Sequence, residues 1–102
     1  IGNLLDRMDA VWGGPLQSST LLKNPPSYYF QRQCWISFEP DEALIEHVIK
    51  EVGSHKFMWA TDFPHADGFA GIVGRVKDAI QSLSINDQQK ILGDNAIEIY
   101  RV

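Results

Sequence analysis

Cysteine is nearly missing from this 102-residue chain, with Cys34 its single example. It can form no internal disulfide, and it completes neither a CxxC pair nor a Cys/His zinc spacing. Just before Trp35, Ile36 and Phe38 such a thiol reads as a buried, inert strand residue. Long apolar runs are missing too. None approaches the roughly 20 residues of a bilayer-crossing helix, and no basic segment leads into an apolar core at the N-terminus. The expectation is a soluble, cytoplasmic chain with no membrane partner. Basic residues are sparse, 9 against 13 acidic for a formal charge of -4. They are scattered rather than gathered into a stripe, so nucleic acid is not an expected partner. An initiator methionine is also lacking, since the chain opens on Ile1-Gly2. That opening raises the expectation of a fragment or a trimmed chain.

What is present is an ordinary globular composition, 44% hydrophobic, 11% aromatic and 22% charged. Such a chain packs rather than staying disordered, and its length suits a single domain over residues 1–102. Ile1, Leu4, Leu5, Met8, Val11 and Trp12 recur at helical spacing, and Gly13-Gly14-Pro15 stops that helix. Residues 16–27 end in Asn24-Pro25-Pro26-Ser27, which reads as a surface loop pinned by Tyr28, Tyr29 and Phe30. Cys34–Phe38 has the bulk of a short strand buried on both faces.

Glu39-Pro40-Asp41 then supplies an acidic, proline-led helix start, followed by one apolar face of Leu44, Ile45, Val48, Ile49 and Val52, with Gly53 as the stop. Lys56–Thr61 reads as a second buried strand. Strand, helix, strand implies a right-handed parallel βαβ unit. Beyond a bend at Gly68 and Gly71, the residues Ile72, Val73, Val76, Ala79, Ile80 and Leu83 mark another helix. Asn86 with Gln89 reads as the capping box of a last helix reaching Tyr100.

The chemistry concentrates in Phe57–His65, an apolar strand whose carboxyl end delivers Asp62 and then His65. In parallel α/β barrels the functional groups sit at that end, where the βα loops converge. An aspartate there can bind a metal or move a proton, or it can cap the following turn. His65 can contact substrate or support a ligand, or simply bond loop backbone. Asp67-Gly68 is first a turn signal, Trp59 reads as core, and Asn95 as a hydrogen-bonding anchor of the last helix. His47 and His55 read as surface or packing residues.

Met58-Trp59-Ala60-Thr61-Asp62-Phe63-Pro64-His65 resembles the last barrel strand of the amidohydrolase-related family, typified by aminocarboxymuconate semialdehyde decarboxylase. Lys90–Ala96 through Tyr100 resembles that family's closing helix with its Asn-Ala pair, and Pro26–Phe30 resembles the segment before the penultimate strand. The resemblance implies an α/β fold, a partial (β/α)8 TIM barrel of parallel strands. The chain would hold the last two βα units plus flanking helices, where a full barrel takes about 250 residues. It implies a fragment of a metal-dependent hydrolase or non-oxidative decarboxylase acting on a small carboxylated or cyclic substrate. Asp62 would be its metal ligand and proton acceptor, and His65 a further site residue.

Thr61 stands where the family more often has serine, which keeps the hydroxyl. The family's His-x-His on the first strand and its histidines on middle strands have no counterpart here. A divalent metal such as zinc, implied for the full-length family, is therefore expected to bind this chain weakly or not at all, and the isolated chain is expected to be inactive. The alternative is a non-catalytic oligomeric remnant or interaction module. Two strands among several helices leave edges and apolar faces uncovered, so a homo-oligomer is expected.

Overall fold

A computed structural model describes residues 1–15, 21–65 and 71–102. They form two compact units, residues 1–35 and 36–102.

In the first unit α1 (Gly2–Trp12) packs against α2 (Pro26–Gln33). The expected stop after Trp12 is found, with the Gly13 amide bonding Asp9 O at 2.8 Å. The six-residue apolar stripe is only partly used. Leu5 is buried, whereas Leu4 and Val11 are exposed. Pro25-Pro26-Ser27, expected to be loop, instead starts a helix. Pro25 is extended and Pro26 occupies the first turn, where a missing N–H costs nothing and the fixed φ is already helical. The next amide, Ser27 N–H, donates to Asp9 Oδ1 at 2.9 Å, so a carboxylate from α1 satisfies a donor that α2 cannot satisfy itself. Trp12 Nε1 donates to Leu22 O at 3.2 Å. Cys34 is not a strand residue. It is the half-buried C-cap of α2 and lines an apolar groove of about 400 Å³ with Leu5, Met8, Tyr29 and Phe30.

The second unit is α/β, mostly helical around a small parallel sheet. Strand β1 (Ile36–Ser37) pairs in parallel with β2 (Phe57–Met58), Ile36 opposite Phe57 and Ser37 opposite Met58. The expected strands were longer, and β1 is not buried on both faces. Ile36 is half-buried and Ser37 exposed. Between the strands runs α3 (Ile45–Val52), burying Ile45, Ile49 and Val52. It does not begin at Pro40. Residues 39–42 form a turn, with Glu42 N–H on Glu39 O, and Asp41 pairs instead with Arg75. Gly53 closes α3 at φ +106, in the half of the map that glycine alone enters readily. A Cβ there would sit 2.7 Å from the His55 ring.

A 3₁₀ turn (Ser54–Lys56) leads into β2, whose Phe57 is 0% exposed and meets Phe38 edge-on at 6.3 Å. Helix α4 (Ile72–Ala79) contributes Ile72 and Val76, and Ile80 and Leu83 continue the core past its end. The last helical stretch comprises α5 (Ile85–Gln89), a π-helical turn (Lys90–Asp94) and α6 (Asn95–Tyr100). Its cap is Ser84 with Asp87, not Asn86 with Gln89. Asp87 N–H donates to Ser84 Oγ at 3.1 Å, and the Ser84 hydroxyl donates to Asp87 Oδ2 at 2.7 Å. Register decides this, because the first helical residue is Ile85 and the cap precedes it.

Candidate functional site

Asp62 lies four residues beyond Met58, the last residue of β2. The sheet stops at Met58 because β1 offers only two residues for pairing, so Trp59–Asp62 continue outside it. Asp62 takes a left-handed φ of 53, and the Phe63-Pro64 peptide is cis. Aspartate is among the few residues that tolerate this φ, since its short carboxylate can bond nearby backbone. The turn is tied by His65 N–H to Asp62 O at 2.8 Å, while Phe63 N–H donates to Thr61 Oγ1 at 3.3 Å. The hydroxyl shared by threonine and serine therefore shapes this turn.

The turn brings together the two residues singled out from the sequence. His65 Nδ1 stands 4.0 Å from Asp62 Oδ2, with the side chains 70% and 53% exposed. Water screens such a pair, so it orients both groups weakly and leaves the carboxylate accessible. Asp67 and Gly68 lie outside the described residues. His47 and His55 are exposed, and His55 sits in the 3₁₀ turn that precedes β2. Neither joins Asp62.

Support for this turn comes from the last helical stretch. Asn95, 3% exposed, donates through Nδ2 to Ser54 O at 2.8 Å and Phe57 O at 2.7 Å. This is the anchoring role expected of it. Ser54 Oγ donates to Asp87 Oδ1 at 2.5 Å. The Ser54 hydroxyl, and after it that of Ser84, hold the Asp87 carboxyl below the usual carboxylate range. Trp59 is half-buried, and its Nε1 donates to Leu92 O at 3.3 Å. The Asp87 link was not foreseen. The Ser84-x-x-Asp87 spacing signals the local cap, and nothing in the sequence pairs Asp87 with Ser54.

Among the described residues no group of three or more His, Cys, Asp or Glu side chains could hold a metal ion. Asp62 and His65 offer two donors, where a catalytic zinc site takes three protein ligands and a water. The described residues do not make up a metal centre. The chemistry open to this pair alone is proton transfer and hydrogen bonding.

The family model for amidohydrolases matches residues 2–102. The chain belongs to the amidohydrolase family. Among solved structures, the chain is similar to an amidohydrolase from Mycobacterium avium subsp. paratuberculosis K-10. The TM-score is 0.78 at 22% identity, over 95% of this chain and 24% of that one. The likeness extends the family assignment to the fold, and this amidohydrolase chain spans about a quarter of that structure's length. Among curated proteins none matches the sequence. Amidohydrolases of this family generally depend on a metal. No helix among the described residues is long and apolar enough to cross a membrane.

Proposed function

We propose that this chain is the last two βα units of a (β/α)8 amidohydrolase barrel, and that it brings Asp62 to the barrel's active site. The reaction is a hydrolysis or a non-oxidative decarboxylation of a small carboxylated or cyclic substrate. One observation carries the reading. A family member places an exposed carboxylate just past the carboxyl end of a parallel strand, in a turn that also presents His65. Functional groups gather at that end of parallel strands.

In this reading Asp62 would be one of the residues holding a divalent ion, for which the described residues do not supply a full ligand set. Such an ion, when bound, supplies an activated water and polarises the substrate. Asp62 accepts a proton from the attacking water or returns one to the substrate. His65, at hydrogen-bonding reach of an incoming group, orients a substrate carboxylate. General acid–base groups of this kind contribute roughly 10²–10⁴-fold to rate.

The test is a zinc titration of the chain, followed through the amide resonances of residues 61–65, on the parent and on Asp62→Asn. The expected result is weak binding in the parent and none in the variant. Equal binding by the two would overturn the assignment of Asp62 and leave the chain as a non-catalytic module. In any longer polypeptide that contains these residues and turns over substrate, Asp62→Asn lowers kcat by at least about 100-fold.

A further inference from the structure

The β1–β2 ladder spans only two residues in each strand, which is little to fix the height at which β2 delivers its turn. Four hydrogen bonds from residues 87–95 act on the same stretch of chain. Asp87 accepts from Ser54 Oγ, and Asn95 donates to Ser54 O and Phe57 O. These three lie before or within β2. The fourth, Trp59 Nε1–H to Leu92 O at 3.3 Å, is the one beyond the sheet on the side of Asp62.

The acceptor lies in an irregular stretch of the closing helix. Leu92 lies inside the π turn Lys90–Asp94, where the Asn95 amide bonds Lys90 O, one residue farther back than in an α-helix. A π turn departs from the regular i to i−4 pairing and often marks a functional place in a helix. The indole of Trp59 donates to a carbonyl within it.

From this placement we infer that Trp59 is a positioning residue. Through the π turn of the closing helix it fixes the chain three residues ahead of Asp62, and so sets where the carboxylate stands. The Asn95 and Asp87 bonds hold the start of β2. The Trp59 bond holds the stretch that leaves it. Its bearing on catalysis rests on the reading of Asp62 given above.

The test replaces Trp59 with 3-benzothienylalanine, which keeps the bicyclic ring and carries sulfur in place of the N–H. Trp59→Phe is the simpler companion. Two readouts are taken with the melting temperature. Amide exchange of His65, whose N–H bonds Asp62 O, is expected to quicken several-fold in both variants while melting changes little. Zinc affinity at the turn is expected to fall about tenfold, the lower end of what supporting groups contribute to metal sites.

Unchanged His65 exchange with the benzothienyl analogue overturns the inference, since only the N–H has been removed. Quickened exchange combined with zinc binding indifferent to Asp62→Asn upholds the positioning role and overturns the function of Asp62 instead. Melting that collapses in both variants marks Trp59 as a core residue and also overturns the inference.

Discussion

Two residues in the second unit carry more than their size suggests. Asn95 closes two carbonyls, one in the 3₁₀ turn and one in β2, next to a phenylalanine that is wholly buried. Asn95→Ala leaves both oxygens without that partner. Each buried group so stranded costs about 1–3 kcal/mol, so urea unfolding should show a loss of about 2–6 kcal/mol. A loss below about 1 kcal/mol would mean that water replaces the amide. Asp87 adds a pH dependence of known sign. Its carboxyl is held low in the folded state by Ser54 and then Ser84, against an ordinary value of 3.8. The stabilisation is therefore complete above that ordinary value and is lost as pH falls through the folded one. The urea midpoints of the parent and Asp87→Asn should differ at pH 7 and begin to converge only as pH falls below the ordinary value of 3.8.

Among the elements, α2 and α3 show how a start signal can mislead. A proline pair stops a helix that arrives from before it and starts one that follows, and residues 25–27 could be read either way. Asp9 favours the second reading, because its carboxylate takes the Ser27 amide across 18 positions of sequence. At α3 the acidic Glu39–Asp41 segment had every local mark of a first turn, yet Asp41 is drawn to Arg75 on α4 and the helix begins later. The end of α3 is the reverse case, readable from one glycine. Gly53→Ala should cost about 1–3 kcal/mol from its positive φ, with a further share from the His55 ring. Pairing it with His55→Ala should recover only that further share, as thermal melts of the single and double variants would show.

For the whole molecule, the pattern of apolar residues exceeds what the described units bury. Leu4, Met8, Val11, Leu44 and Ile97 are large and exposed, and the sheet among the described residues has only two strands. We propose that the chain self-associates through such exposed apolar faces. Light scattering behind size exclusion should give at least twice the mass of one chain at micromolar concentration. A monodisperse monomer across that range would sink the proposal.

The order of elements in residues 36–102, the parallel pairing, the stop at Gly53 and the anchoring role of Asn95 were all legible in the linear chain. Each rests on short-range rules of spacing, backbone freedom and hydrogen-bonding capacity. Family membership was legible as well, because it is carried by contiguous residues such as Thr61–His65. Where α2 and α3 begin, how few residues of each strand pair, what else the α5 cap residue Asp87 bonds and what Trp59 bonds were decided in three dimensions. Those outcomes depend on groups far apart in sequence, Asp9 with Ser27, Asp41 with Arg75, Ser54 with Asp87, Trp59 with Leu92. A local pattern states what a residue is able to do, and the partner that folding brings to it selects which of those things it does.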